Sequence, residues 1–257
     1  MRFLIQKIDK QVRHDFSFTL LEAIRYQKWL QKDPEFSVRY INCKANDNVW
    51  FFKPFHEHYV PVGSVEFVLS WMKRFGVPTP KPINVPEQLF GLAQREMFNG
   101  NHMDLEDLKG KWFVKSATQF KGLAEVLRID DNHSWSIPAG HYQISEYIDI
   151  HSEWRAFIYQ GKLVGLQNYS GNFKIFPCVQ QIYNMIRIYK DAPVAYTLDV
   201  GVNPVIEVDG SHHNNTFIIE VHDFFSCGLY GFSNHNIYPY MLYRWFHEYL
   251  NKTKNGK

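Results

Sequence analysis
The order of apolar and polar positions divides the chain into two unlike halves. An apolar run from Arg2 to Ile8 reads as a strand, and Val38 to Asn42 as a second. Between them, Leu20, Leu21, Ile24 and Trp29 fall at helical spacing, predicting a helix over Phe16 to Gln31 capped by Asp15 or Ser17. Ser64 to Phe75 carries Val65, Phe67, Val68, Leu69 and Trp71 and ends at Gly76, a C-terminal stop signal. Strands alternating with helices predict a small α/β lobe. Four prolines between Val77 and Pro86 (Pro78, Pro80, Pro82 and Pro86) then predict an extended connector.

Beyond it the pattern is mostly of strands: Trp112 to Lys115, Tyr142 to Ile148, Trp154 to Tyr159, Leu163 to Asn168, Tyr196 to Val202, Pro204 to Val208 and Thr216 to Val221. Gly161 and the pair Asp209-Gly210 are hairpin signals. Gln180 to Lys190 and Pro239 to Leu250 read as helices, the latter amphipathic through Leu242, Trp245, Phe246 and Leu250. The expected architecture is an α/β lobe over residues 1–80 followed by an α+β unit with antiparallel sheet over 81–257.

Composition narrows the function. A chain of 257 residues with 45% hydrophobic and 17% aromatic residues can bury a large core in two or three small lobes. A net charge of +2 gives no electrostatic case for nucleic acid as a partner. The aromatic run Trp50-Phe51-Phe52 with Phe55 therefore reads as packing before base stacking. Three dispersed cysteines argue against a disulfide framework or a zinc site. No apolar run approaches the ~20 residues that span a bilayer, and the N-terminus lacks a signal-like h-region. A cytoplasmic location is expected.

Several charged side chains stand where charge is costly. Lys115 ends the strand Trp112-Phe113-Val114-Lys115 on the face of Phe113, and Lys121 follows in a polar loop. Two lysines so placed can grip a polyphosphate from two sides; an edge-strand lysine and a loop lysine are the plainer reading. Glu146 interrupts the apolar segment Gln143 to Ile148 and is suited to an exocyclic amine. Glu153 and Arg155 share a strand face with Phe157, as an ordinary ion pair would. Asp199 lies within a strand, and Glu220 ends Phe217-Ile218-Ile219 on the predicted face of Ile218, with His222 and Asp223 just after. Two such carboxylates on adjacent strands suit a hard cation such as Mg2+, or structural hydrogen bonds to turns. His212-His213 at a hairpin tip and Cys227 read as a solvated turn and a small buried or loop thiol.

The segments HSEWRAFIYQGKLVGLQNYSG, AYTLDVGV and FIIEVHDFFSCGLYGF, in this order after the two lysines, resemble ATP-grasp proteins. The similarity is closest to a clade marked by an arginine and two lysines in bacteria and their phages. VPVGSVEFVLSWMKRFG (Val60 to Gly76) resembles that clade's segment ahead of the ATP-grasp core, so the likeness runs from Val60 to Phe232. It implies an ATP-grasp fold with a small pre-ATP-grasp lobe, binding ATP and Mg2+. It further implies Lys115 on the α- or β-phosphate, Lys121 on the outer phosphates, and adenine read by Glu146 with the backbone at Tyr147 and Ile148. Glu153 would lie near the ribose or phosphates, Arg155 at the γ-phosphate, and Asp199 and Glu220 on the metal.

Two departures stand out. Where the family often has asparagine, this chain has His222, a poor ligand for Mg2+. Either Asp223 supplies an oxygen, or a second metal site is altered, or a softer ion such as Mn2+ is preferred. The phosphate loop also holds only Gly122 between Lys115 and Leu123. The implied activity is ATP-dependent joining of a carboxylate to an amine through an acyl-phosphate. The substrate would be an amino acid, a peptide or a protein terminus, with acceptor pockets from the N-terminal lobe and loops such as Ser226 to Asn234. A non-catalytic ATP-binding module of the same fold is the alternative, and a nucleotidyl transferase using a covalent lysine the weaker third.

Overall fold
A computed structural model describes residues 1–30, 36–44, 58–130 and 136–255. The aromatic run Trp50-Phe51-Phe52 with Phe55, and the expected helix end at Gln31, lie outside those residues. The first sheet joins β1 (Arg2–Lys7), β2 (Ser37–Asn42) and β3 (Val60–Val62) in the order β2-β1-β3, all parallel. Central β1 is buried from Phe3 to Gln6, as a strand covered on both faces must be. Its one polar member is satisfied. Gln6 Nε2 donates to the Cys43 carbonyl at 3.1 Å, and Oε1 accepts from Ser64 N–H at 2.7 Å. A Cβ at Gly63 would lie 2.5 Å from Gln6 Oε1, so this turn admits only glycine.

Helix α1 (Asp15–Trp29) connects β1 to β2. His14 is its N-cap residue but makes no side-chain cap bond, while Ser17 is buried and Asp15 instead accepts from Leu229 N–H at 3.0 Å. Helix α2 (Val65–Arg74) is capped by Ser64, whose side chain accepts from Phe67 N–H. The C-terminal helix α4 (Tyr238–Asn255) packs against α1 and β3, and its Trp245 and Phe246 join Phe3, Phe67 and Trp71 in one core.

The remaining two sheets are antiparallel. One has the order β4-β7-β5-β6, from β4 (Met97–Asn101), β5 (Gly110–Ser116), β6 (Ala124–Ile129) and β7 (His141–Glu146). The other runs β11-β10-β8-β9, from β8 (Ser152–Tyr159), β9 (Lys162–Gly171), β10 (Ala195–Ile206) and β11 (His212–Asp223), with α3 (Val179–Ile188) against β11. The two strands expected at 196–202 and 204–208 are one, because Pro204 continues the ladder opposite Asn214. The proline-rich connector ties both sheets together. Asn84 accepts from Val221 N–H at 2.8 Å and donates to the Ser116 carbonyl at 3.0 Å, and Val85 exchanges two bonds with the Gln143 side chain. Among the described residues no helix is long and apolar enough to cross a membrane.

Candidate active site
The cleft lies between these two antiparallel sheets. It has a volume of about 210 Å3, with Met97, Phe113, Ile148, Ile150 and Ile219 as apolar walls and Lys115, Glu220, Arg95 and Glu146 as its charged lining. Phe113 and Lys115 share a face of β5, so the strand that supplies an apolar wall also delivers the ammonium.

Register explains how distant residues meet. Arg155 of β8 lies opposite Asp199 of β10, and Asp199 lies opposite Glu220 of β11. Three neighbouring strands thus set an arginine and two carboxylates in a row. Lys115, from the facing sheet, closes an ion pair with Glu220. A bulge decides which carboxylate faces the cleft. The β10–β11 register jumps from Asp199↔Glu220 to Val200↔Ile218, leaving Ile219 as an extra residue. An extra residue reverses strand alternation, and such bulges commonly re-aim side chains beside functional sites. Glu220 therefore does not share the face of Ile218, as strict alternation predicts. Ile218 and Val221 enter the core, while Ile219 and Glu220 line the cleft.

Arg155 donates from Nε and a terminal nitrogen to the two Asp199 oxygens at 2.8 and 2.7 Å, a bidentate pair almost wholly buried. Its remaining terminal nitrogen donates to the Gly228 carbonyl at 3.0 Å. Burial opposes its charge, but the bonds and charge of Asp199 outweigh burial and hold its pKa above the usual value. Burial lowers Lys115 to about 8, against the pull of Asp199. His222 Nε2 lies 3.0 Å from Glu220 Oε2 and 3.7 Å from Asp199 Oδ2, and burial lowers it to about 4, so its imidazole is neutral at pH 7.

Lys115, Arg155, Asp199, Glu220 and His222 come together; of these Lys115 and Glu220 line the cleft, as do Glu146, Tyr147 and Ile148. The Tyr147 N–H is already committed to the Lys111 carbonyl. Three expected members stand elsewhere. Lys121 reaches Glu66 on the first turn of α2 at 2.7 Å. Glu153 accepts from Tyr169 O–H at 2.8 Å. Asp223 lies across the strand from His222, accepting from Trp245 at 2.9 Å and Tyr249 at 3.0 Å; burial raises it to about 6. It is a core carboxylate, so the oxygen it was expected to lend a metal is not in the cluster.

A protein-family model for the ATP-grasp domain, R2K clade family 2, matches residues 92–240. The chain belongs to this ATP-grasp family. Among solved structures it is similar to D-alanine–D-alanine ligase from Bacillus anthracis, at 12% identity over 100% of both chains with a TM-score of 0.53. The same ligase complexed with ATP gives 13% identity, 100% coverage of both and a TM-score of 0.52. N5-carboxyaminoimidazole ribonucleotide synthetase from Thermotoga maritima gives 9% identity, a TM-score of 0.51, and coverage of 95% of this chain and 76% of that one. At these identities the likeness shows the ATP-grasp fold. A search of the curated proteins finds no match.

In this ATP-grasp protein Arg95 is a further member of the site, beyond those the sequence motifs mark. It lines the cleft and donates to the Ala93 and Ile218 carbonyls at 3.0 and 2.9 Å, with its pKa lowered by burial. No pattern along the chain marks it, because Met97-Phe98 runs into Asn99-Gly100-Asn101, which reads as a turn. Tyr169 and Tyr230 stack with centroids 5.0 Å apart, and the Arg155 guanidinium lies 5.0 Å from the Tyr230 centroid.

The cluster fits a metal ion chemically. Among the described residues, Asp199, Glu220 and His222 are the one set whose ligand atoms gather, all within 4.8 Å of one another. Two anionic oxygens and an imidazole nitrogen form a divalent-cation donor set.

Proposed function
We propose that this ATP-grasp protein is an ATP-dependent ligase, joining a carboxylate to an amine with release of ADP and phosphate. The observation that carries the reading is the convergence of Lys115, Arg155, Asp199 and Glu220 beside one apolar cleft. Phe113, Met97 and Ile148 offer walls for a flat ring, and Glu146 a carboxylate for its exocyclic amine. Lys115 and Arg95 supply positive charge for the phosphates. Asp199, Glu220 and His222 would hold the divalent ion, which screens phosphate charge when bound.

Phosphoryl transfer depends on in-line positioning and charge neutralisation more than on a protein base. In the proposed reaction a carboxylate oxygen of the acceptor attacks the γ-phosphorus as ADP leaves, giving an acyl-phosphate. An amine then attacks its carbonyl carbon, phosphate departs, and the amine proton passes to solvent. Lys115 and Arg155 face the charge that builds during transfer, and the apolar walls limit water. Lys121 joins them only after leaving Glu66. We assign residues 81–257 to the nucleotide unit and residues 1–80 to an acceptor-facing lobe, the acceptor being an amino acid, a peptide or a protein terminus. The lobe's Asp15 and Gly63 grip the loop after β11, through Leu229 and Ser226, and the same loop gives its Gly228 carbonyl to Arg155.

The test is ADP release from ATP with Mg2+ or Mn2+ and pools of amino acids and short peptides, with condensed products read by mass. Release of ADP and a product lighter by one water than its two substrates is expected. ATP bound without turnover in every mixture supports a non-catalytic module instead, and release of pyrophosphate a nucleotidyl transferase.

A further inference from the structure
The donor cluster contains a side chain that a magnesium site has no chemical reason to hold. Mg2+ binds oxygen and dehydrates reluctantly, whereas imidazole favours first-row transition ions. His222 Nε2 nevertheless points at both carboxylates, 3.0 Å from Glu220 Oε2 and 3.7 Å from Asp199 Oδ2. Its placement follows from the same bulge that aims Glu220, with Thr197 opposite His222 two positions from the Asp199↔Glu220 pair.

The oxygens are themselves compromised. Both oxygens of Asp199 accept from Arg155, and Oε1 of Glu220 accepts from Lys115. Each carboxylate shares its charge with a cation, which weakens it as a donor to a hard ion. A nitrogen donor recovers affinity for an ion that accepts nitrogen, and recovers little for Mg2+.

We infer that His222 Nε2 is a metal ligand here, and that the centre prefers a first-row transition ion, with Mn2+ as its probe, over Mg2+. This rests on the nucleotide-site reading above and deepens it. An imidazole that only hydrogen-bonds to Glu220 is the competing role.

Pulsed electron paramagnetic resonance separates the two. The full chain is loaded with Mn2+ and a non-hydrolysable ATP analogue, and nitrogen modulation of the Mn2+ signal is recorded. The wild type should show nitrogen coupling that changes its isotope pattern when histidine is supplied 15N-labelled. The coupling should vanish in His222→Asn, and Mg2+ should displace Mn2+ from that variant about tenfold more readily. Coupling unmoved by the label comes from a nitrogen other than histidine's and overturns the inference, as does labelled coupling that survives in the variant. Mn2+ bound with the analogue but without nitrogen coupling overturns it too, while leaving the nucleotide site standing. Binding of neither Mn2+ nor the analogue to the wild type removes the nucleotide reading and this inference with it. The labelled wild type needs no substitution, so poor folding of the variant does not blunt the test.

Discussion
Lys115 and Lys121 stand six residues apart, and each ends on a glutamate, yet the two pairs do different physical work. Lys115 reaches Glu220 across the cleft with side-chain exposures of 27% and 18%. Lys121 reaches Glu66 of the N-terminal lobe with exposures of 63% and 37%. The inner pair sits beside a second buried pair, Arg155–Asp199, in surroundings that strengthen every charge interaction. The outer pair is screened by water and holds Lys121 away from the cleft. Position in the fold, not residue type, separates a side chain poised at the site from one that must travel to it.

Breaking the inner cluster should have the largest effect. Asp199→Ala leaves the Arg155 guanidinium buried without its counter-charge, and a stability loss of about 3–5 kcal/mol is expected in denaturant unfolding. A loss under about 1 kcal/mol would show that Gly228 and the two tyrosine rings suffice to hold Arg155. Next come Lys115→Ala and Glu220→Gln, each expected to lower kcat by about 10²–10³-fold with a far-ultraviolet circular dichroism spectrum like the wild type's. Near-normal turnover in Glu220→Gln would remove that carboxylate from the metal site. Lys121→Ala should act more weakly and mainly on the KM for ATP, raising it about tenfold, since an exposed lysine held away from the site gives less than a preorganised one. The smallest effect is expected for Glu66→Gln, which frees Lys121. It should tighten ATP binding about two- to fivefold, the range of an exposed ion pair, and do nothing in a Lys121→Ala background. Unchanged affinity in Glu66→Gln with Lys121 in place would show that Glu66 does not compete with the nucleotide for Lys121.

Much of this arrangement is legible in the sequence. A lysine ending an apolar strand and an acid closing a β-branched run are costly placements, and both face the cleft. The order of motifs also pointed to the ATP-grasp fold. The rest was hidden for identifiable reasons. Strand β4, Met97–Asn101, contains Gly100 and two asparagines, a composition that reads as a turn until β7 supplies its ladder partner. The bulge at Ile219 is a property of two strands in register and leaves no mark on β11 alone, so alternation along the sequence puts Glu220 on the face of Ile218. Asp223 and Glu220 look alike in sequence, and only Trp245 and Tyr249, more than twenty residues on, claim Asp223 for the core. The partner of Lys121 lies 55 residues upstream, beyond any local pattern.

Isothermal titration of a non-hydrolysable ATP analogue, with saturating Mn2+ and again with chelator, tests the shared cleft most directly. The wild type should bind the analogue more tightly with metal than without, and Glu220→Gln should lose that difference while Lys115→Ala weakens binding under both conditions. Failure of the wild type to bind, or equal binding with and without metal in all three proteins, would contradict a common nucleotide and metal site at Lys115 and Glu220.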